Sequence, residues 1–373
     1  MNNIPPNWKK MSSHCKAAII IPGCNEEAYI RNCLNSINNA ISFLKNPKSI
    51  EIIFVNNNSV DNTEKIVKTF KKKHKHINIF ILNELKQGQG YARQTGVRTA
   101  LTRMLLRKNS RKENFWIINT DADVIVPTSW LTQYFNYFDK KKSLIIIGNS
   151  KFGFGFDKRY PNYLKVLTEI SNRIKKAEKL FGVINVDGFN SAIEEKCYGA
   201  IGPFYQPVKR ISKNKVVNLA GEDWDLGTRA RSLGIIPTRM NPNPVISSPR
   251  RFESSPQNFL DGTTYEGPFG IVNSSKSTID IQEKDITNNI NIGSLRICVH
   301  FIEKPILIDP KLLNSLKVKK LFGKKLTTQI KKWINDTKKP DLFQERNKFF
   351  IDYLHSFHSK FGPLINNALF KRR

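Results

Sequence analysis

The sequence predicts an α/β protein built around a largely parallel central sheet. Short apolar runs rich in β-branched residues alternate with segments whose apolar residues recur at helical spacing. Strands and helices that alternate in this way are typical of βαβ units, which produce parallel sheets. Ligands of such sheets bind at the carboxyl ends of the strands, so the polar residues that follow the predicted strands are the first candidates for a functional site.

Each predicted element rests on its own hydrophobic pattern. Buried strands are predicted at residues 17–22, 51–56, 77–82, 115–120 and 144–148, with a further short strand at 235–240. Helices are predicted at residues 30–44, 63–70, 90–106 and 160–181. The domain organisation predicted from these patterns is an N-terminal tail at 1–15, an α/β domain at 16–255, a polar loop or linker at 256–298, and a basic, largely helical C-terminal extension at 299–373.

The composition limits the classes of function. Hydrophobic residues make up 39% of the 373 residues, enough to bury a core, which excludes wholesale disorder. The net charge of +30 attracts anions such as nucleic acid, anionic lipid or phosphorylated substrates, although lysines on a solvated surface explain it equally well. The five cysteines include no Cys-x-x-Cys pair, which argues against a disulfide framework or a zinc site and for a reducing compartment.

The sequence contains no predicted membrane-spanning segment. The first ten residues lack the apolar stretch of a secretory signal, and no run of about 18 apolar residues occurs. We therefore expect a cytoplasmic protein that meets a membrane only peripherally, on the inner face of the cytoplasmic membrane. Residues 311–339 interleave many lysines with apolar residues, as in a basic amphipathic helix pair on anionic membrane, and equally as in a helical cap whose lysines face water.

Polar turns follow the first two predicted strands. The first turn closes the run Ile-Ile-Pro-Gly-Cys-Asn-Glu-Glu at 20–27, and the second closes Val-Asn-Asn-Asn-Ser-Val-Asp-Asn-Thr at 55–63. These runs resemble glycosyltransferase family 2, and the likeness extends with interruptions from about Ala17 to Arg251. The resemblance implies a GT-A fold, with a mostly parallel mixed sheet flanked by helices, and inverting transfer from a nucleotide-sugar donor. The donor-binding residues that it implies in these two turns are Pro22, Asn25, Glu27, Asn56, Asn57 and Ser59.

A third motif opens a helix, and a fourth follows a strand. Residues 88–96 are similar to the family's G-x-x-x-A-R-N-x-G helix start, which places Arg93 at the donor because helix N-termini attract anions. The strongly apolar strand at 116–120 runs directly into Asp121-Ala122-Asp123. Similar D-x-D motifs in GT-A enzymes place one carboxylate near the ribose and another on a divalent ion.

The D-x-D motif therefore implies a divalent cofactor, Mg²⁺ or Mn²⁺, on Asp123 with help from Asp121, which also contacts the donor. These ions prefer oxygen ligands and need few protein carboxylates when phosphates supply the remaining ligands. The leaving nucleoside diphosphate gains negative charge as the sugar bond breaks, and a hard cation stabilises that charge as a Lewis acid.

Three motifs of the second half complete the resemblance. Residues 186–192 and 201–204 are similar to the family's acceptor-side stretch. Glu222 and Asp223 resemble its E-D motif, in which one carboxylate takes the proton of the acceptor hydroxyl. We assign this role to Asp223 and a supporting role to Glu222. In the basic pair Arg250-Arg251 either side chain is a candidate to clamp the diphosphate, and Arg251 is assigned to the donor site.

One departure from the family pattern leaves the nucleotide open. Asn56 stands where many members have Asp, and an amide both donates and accepts whereas a carboxylate only accepts. The sugar, the acceptor and the linkage are open as well. A saccharide or lipid-linked saccharide is compatible as acceptor, and the expected role is in the synthesis of cell-surface glycan or glycolipid.

Other classes of protein compete with this interpretation. A catalytically silent sugar-nucleotide-binding protein of the same fold is the alternative, although the presence of both acidic motifs argues against it. A nucleotidyltransferase would need a glycine-rich phosphate loop after the first strand, where this chain has carboxylates that repel a triphosphate. A nucleic-acid binder is suggested by charge alone, without a recognised motif, so no specific nucleic acid partner is predicted.

Overall fold

A computed structural model of the chain describes the backbone of most residues and shows how the predicted elements assemble. The described residues are 12–106, 114–138, 144–153, 155–182, 184–206, 208–212, 215–218, 221–240, 243–254, 256–261, 280–337 and 348–370. Most of the predicted tail at 1–15 lies outside these ranges.

The strands and helices are numbered along the chain. The strands are β1 Ala17–Gly23, β2 Ile50–Asn56, β3 Ile79–Asn83, β4 Trp116–Thr120, β5 Val124–Ile125, β6 Ile145–Ile147, β7 Ser150–Phe152, β8 Asn190–Glu194, β9 Val208–Ser212, β10 Lys215–Asn218, β11 Thr238–Arg239 and β12 Val245–Ser247. The helices are α1 Ile30–Ser42, α2 Thr63–Lys73, α3 Gln89–Leu106, α4 Trp130–Phe138, α5 Phe156–Arg159, α6 Pro161–Phe181, α7 Glu195–Ile201, α8 Glu222–Ser232, α9 Arg250–Ser254, α10 Pro256–Asp261, α11 Ile286–Cys298, α12 Lys304–Ile308, α13 Leu316–Asp336 and α14 Lys348–Phe370.

Among the described residues, seven strands form the central sheet in the order β11-β6-β8-β4-β1-β2-β3. Neighbouring strands run parallel except at β8, which is antiparallel to β4 and to β6. The predicted architecture, a mostly parallel mixed sheet flanked by helices with helices added at the C-terminus, is confirmed.

Strand β1 is apolar throughout because both faces of the sheet are covered there. In β1, Ala17, Ile19 and Ile21 pack into an apolar cluster with α1, α2 and α4. Ala18 and Ile20 point the other way, into a second cluster with α3, α7 and α8. Alternate residues of one strand therefore fill two cores, which explains its continuous hydrophobic run.

A buried ion pair joins the last turn of α3 to the start of β2. Arg103 donates from Nε and Nη2 to the two carboxylate oxygens of Glu51, at 2.8 and 2.5 Å. Both side chains are inaccessible to solvent, and the guanidinium carbon lies 3.5 Å from the ring centre of Phe80. Asn78 donates a further hydrogen bond to Glu51 at 2.7 Å, so the buried carboxylate is well compensated.

The C-terminal helices have an apolar cluster of their own. It combines residues of α11 to α14 with Ala177 and Phe181 of α6. The cluster buries Val318, Phe322 and Ile330 of α13, whereas lysines of that helix such as Lys319 are exposed. The apolar side of α13 is thus occupied by packing, which favours the interpretation as a helical cap. Among the described helices, none is sufficiently long and apolar to cross a membrane.

One detail of the C-terminal prediction differs from the structure. The loop predicted at 256–298 is wrong at α10 and α11, whose apolar residues pack on α6, and residues 262–279 lie outside the described ranges. The polar residues of 286–298 alternate with apolar residues that face the core. The predicted helix pair corresponds to two helical segments within α13, which meet at a kink at Gly323, where φ is +72° and the backbone is not helical.

Replacing Arg103 by Met should lower the free energy of unfolding by about 3–5 kcal/mol, because Glu51 is then buried without its counter-charge. The control Arg98→Met changes an exposed arginine of the same helix and should cost less than about 0.5 kcal/mol. Urea unfolding followed by circular dichroism measures both values. Equal effects of the two substitutions would refute the importance of the buried pair.

Candidate active site

The candidate site lies where the carboxyl ends of the parallel strands meet. Asp121 and Asp123 directly follow β4 at this edge of the sheet. Strand β8 is antiparallel, and its first residue, Asn190, pairs with the last residue of β4, Thr120. The segment that precedes β8, with Asp187 and Gly188, is therefore at the same edge. The sheet thus brings together two motifs that are distant in sequence.

A buried arginine joins the D-x-D motif to the E-D motif. Arg93, in the first turn of α3, is 1% exposed. Its Nη2 donates to Asp121 Oδ1 at 2.5 Å, and its Nε donates to Glu222 Oε1 at 3.0 Å. Gln89 adds a hydrogen bond to the same oxygen of Asp121 at 2.9 Å. One guanidinium thereby fixes carboxylates from the end of β4 and from the start of α8.

Asp223 lies beside this pair and has its own backbone donors. Gly188 N–H donates to Asp223 Oδ2 at 2.8 Å, and Trp224 N–H donates to Oδ1 at 2.8 Å. Burial, reinforced by the neighbouring Glu222, raises the pKa of Asp223 to about 7. This carboxylate is therefore poised to exchange a proton near neutral pH.

Gly188 allows this close approach. A Cβ at this position would lie 2.7 Å from Arg93 Nη2 and 3.0 Å from Asp223 Oδ2. The guanidinium and the carboxylate therefore both face one glycine. Arg93 bonds to Asp121, and its charge also acts on Asp223, so both carboxylates are neighbours of one guanidinium.

A second arginine pairs with Asp123. Arg250, at the start of α9, donates through Nη1 and Nη2 to both oxygens of Glu26 at 2.8 and 2.6 Å. Its Nε lies 3.1 Å from Asp123 Oδ2. Burial raises the pKa of Asp123 and raises that of Glu26 to about 7, while Arg250 opposes both shifts. The charge of Arg251 also opposes the rise of these two pKa values.

The carboxylates fit a divalent ion only when another ligand completes its coordination. No group of three or more His, Cys, Asp or Glu side chains in the described part of the chain is arranged to hold a metal ion. Asp121 and Asp123 offer two hard oxygen donors on one edge, which suits Mg²⁺ or Mn²⁺ when phosphate oxygens provide further ligands. Within the described residues, the buried Nη1 of Arg93 has no hydrogen-bond partner, so this edge also holds a donor available to an anionic ligand.

The predicted donor-binding residues in and after β1 and β2 are buried or bonded to other parts of the chain. Pro22 is buried within β1, Asn56 bonds to Asn83 at 3.1 Å, and Ser59 accepts from Asn25 N–H at 3.1 Å. The side chains of Asn25, Glu27 and Asn57 link loops to each other.

Asn57 and Glu27 make hydrogen bonds that join loops of the chain. Its amide donates to the carbonyl oxygens of Glu84 and Lys86 at 2.9 and 2.8 Å and accepts from Gly88 N–H at 2.9 Å. Glu27 is exposed and accepts from the backbone and side chain of Asn62, both at 3.0 Å. Each of these two side chains therefore stabilises the walls of the edge through the chain itself.

Sequence reasoning did not single out Glu26 and Gln89. It selected Glu27 and, from the arginine pair, Arg251, whereas in the structure Arg250 bonds to the neighbouring Glu26 and lies beside Asp123. Gln89, which bonds to Asp121, stands at a variable position of the motif at 88–96. The runs Glu-Glu and Arg-Arg contained the signal, but only the direction of each side chain distinguishes the two members.

Gly188→Ala should lower the free energy of unfolding by about 1–3 kcal/mol, because the added methyl group collides with Arg93 and Asp223. A matched control is Gly199→Ala in α7, where a Cβ meets no atom within 4 Å. That change should be neutral or stabilising by up to about 1 kcal/mol. Urea unfolding measures both, and a Gly188 variant as stable as the control would contradict the close packing.

Comparisons with known proteins support the resemblance. The family model "Glycosyl transferase family 2" matches residues 18–201. The "Probable glycosyltransferase YdaM" of Bacillus subtilis (strain 168) is 38% identical over 89 residues, which are 24% of this chain and 20% of that protein. A Methanococcus voltae protein, "Dolichyl N-acetyl-alpha-D-glucosaminyl phosphate 3-beta-D-2,3-diacetamido-2,3-dideoxy-beta-D-glucuronosyltransferase", is 38% identical over 84 residues, 22% of this chain and 25% of that protein.

The matched region spans a quarter or less of the length of these two relatives. Among solved structures, the mannosyltransferase PcManGT from Pyrobaculum calidifontis, in complex with GDP-Man and Mn²⁺, aligns with a TM-score of 0.47 and 12% identity. That alignment covers 96% of this chain and 87% of the other. By its family match, the chain carries a glycosyltransferase family 2 domain at residues 18–201.

Proposed function

We propose that this chain transfers a sugar from a nucleotide-diphosphate sugar to an acceptor hydroxyl, with inversion and with a divalent metal ion. The observation that carries the proposal is the position of Arg93 between Asp121 and Glu222, with Asp223 alongside. This arrangement gives one site both a pair of oxygen ligands and a carboxylate that titrates near neutrality.

The donor is assigned to the edge formed by the ends of β1, β2 and β4. Asp123 and Asp121 would hold Mg²⁺ or Mn²⁺, which when bound stabilises the charge of the leaving diphosphate. Arg93 and Gln89 orient Asp121, and Arg250 orients Asp123. The nucleoside end would lie along the loops after β1 and β2. Asn56 and Ser59 are proposed to contact it, while Asn25, Glu27 and Asn57 shape these loops.

Asp223 is proposed to be the general base. It takes the proton of the acceptor hydroxyl as that oxygen forms a bond to the anomeric carbon, and the bond to the diphosphate breaks on the opposite face. The backbone N–H groups of Gly188 and Trp224 hold its two oxygens, which limits the rotation of the carboxylate. A single displacement of this kind inverts the anomeric configuration.

The cellular setting follows from the same proposal. The net charge of +30 suits a chain that works near anionic surfaces, and we propose a cytoplasmic, peripheral role in cell-surface glycan or glycolipid synthesis. The alternative, a silent sugar-nucleotide-binding protein, predicts binding of donors without transfer or donor hydrolysis.

Asp223→Asn should reduce transfer by about 10²–10⁴-fold, the usual contribution of a general base, and leave donor binding within about twofold. Donor binding is measured as thermal stabilisation by a panel of UDP-, GDP- and dTDP-sugars, each with and without Mn²⁺. Turnover is measured as release of the nucleoside diphosphate from the donor that stabilises most.

The control for this test is Asp225→Asn, which removes a carboxylate of the same helical turn that pairs with Arg229 at 2.9 Å. It should keep turnover within about threefold, as expected for an ion pair outside the chemistry. Near-normal turnover of the Asp223 variant would contradict the assignment of Asp223 as the base. Donor binding with no turnover in the wild type would support the silent binder.

The pH dependence should follow Asp223, whose pKa is raised from 3.8 to about 7. The base form grows as pH rises, so turnover should increase through pH ~7 and level off near ~8. For stability the sign is opposite. The folded state holds this proton to higher pH than the unfolded state, so the wild type loses stability relative to Asp223→Asn as pH rises from ~4 to ~8. Melting temperatures of the two proteins across this range, and a pH–rate profile, check both statements. A profile that is flat between ~5.5 and ~8 rules out this titration.

A further inference from the structure

A large cavity adjoins the proposed base and is not used by the proposed donor site. It has a volume of about 910 Å³, near the upper end of the range for pockets that bind drug-sized ligands. Trp224 and the residues on both sides of Gly188, which are Asp187 and Phe189, lie in its lining. Because Gly188 N–H bonds to Asp223, this end of the cavity lies next to the residues that contact the proposed base.

The end of the cavity near Asp223 is polar. Arg239 donates to Glu178 Oε1 at 2.7 Å, and its Nη1 lies 3.9 Å from Asp187 Oδ2. Burial raises the pKa of Asp187 to about 6, against the opposing charge of Arg239. Carboxylate and guanidinium groups beside an indole ring match a sugar, which presents hydroxyl groups at its edge and C–H groups on its face.

Another part of the lining is apolar, and the C-terminal helices contribute to it. Ile170 and Ile174 of α6 and Phe259 of α10 line this part. Ile297 of α11 and Phe301, which comes shortly after α11, line it as well. Gly293 of α11 sets the spacing, since a Cβ there would lie 2.3 Å from Ile170 Cδ1. These apolar side chains offer few hydrogen-bonding partners to a saccharide. They favour the burial of a hydrocarbon chain instead.

We propose that this cavity binds the acceptor, and that the acceptor is amphipathic, a saccharide joined to an apolar chain. The sugar head lies at the polar end beside Asp187 and Trp224, with its reacting hydroxyl toward Asp223. The apolar chain lies between α6 and α11. This inference rests on the proposed function for the identity of the base, but binding of the acceptor itself needs neither donor nor metal.

The test is calorimetric titration of the full chain with three probes, without donor. The probes are n-octyl β-D-glucoside below its micelle concentration, methyl β-D-glucoside, which keeps the head only, and 1-octanol, which keeps the chain only. Octyl glucoside should bind at least about tenfold more tightly than either fragment, because both ends of the cavity contribute.

Two variants test the two parts of the cavity separately. Ser171→Trp adds bulk at an exposed position of α6 that lines the cavity, and should weaken octyl glucoside at least about tenfold. Its matched control, Asn172→Trp, alters the next exposed residue, which is not in the lining, and should change the affinity less than about twofold. Asp187→Asn keeps the volume and should weaken octyl glucoside while leaving octanol unchanged.

Several results would overturn the inference. Equal affinities of methyl glucoside and octyl glucoside would leave no role for the apolar end. Equal binding of octanol with no effect of Asp187→Asn would mark the cavity as apolar only, and equal losses in the two Trp variants would mark the binding as unspecific. If octyl glucoside binds as expected but no sugar nucleotide stabilises the protein, the proposed function fails and the amphiphile site stands. If sugar nucleotides bind and turn over but octyl glucoside does not bind, the acceptor inference alone fails.

Discussion

The candidate site depends on one buried cation, the guanidinium of Arg93. A charge with 1% exposure is stable only when carboxylates surround it, and Asp121 and Glu222 provide them. These carboxylates come from the end of β4 and the start of α8, so the requirement to compensate one charge aligns the sheet edge with a distant helix. Asp223 follows Glu222 in the chain and is brought to the edge by the same contact.

Amide side chains give the edge its shape. Asn57 closes the β2 loop onto the segment before α3 with three hydrogen bonds to the backbone. Asn25 adopts a φ of +56° and its side chain accepts from Val60 N–H, which joins the first two loops. Asparagine tolerates this conformation better than most residues, so these positions favour it for local reasons. A motif residue can thus matter to a ligand through the loop it builds.

Helix α6 connects the family domain to the C-terminal helices. Its residues Ala177 and Phe181 enter the C-terminal apolar cluster, while Tyr163 and Val166 pack with α9 and α10. The C-terminal helices therefore share a core with the rest of the chain and form one wall of the cavity beside Asp187. The family match ends at residue 201, so the C-terminal helices that form this wall lie outside it.

The order of strands and helices was predictable because it rests on local patterns. The fully buried strands β1, β2 and β4 have continuous apolar runs, and the helices that flank them have one apolar face each. The loop predicted at 286–298 was wrong because α11 is rich in asparagine, and its helix is stabilised by packing on α6 rather than by helix propensity. Tertiary contact can override a weak local preference.

The sequence by itself determined the acidic motifs, their order and the strand ends that carry them. Only the tertiary structure decided which carboxylate pairs with which arginine. Arg93 and Glu222 are 129 residues apart, and Arg250 and Glu26 are 224 apart. Adjacent residues such as Glu26 and Glu27 have the same chemistry, and the fold alone sets which side chain turns toward the site. Local sequence patterns specify elements, whereas compensation of buried charge depends on distances that exist only after the elements have packed.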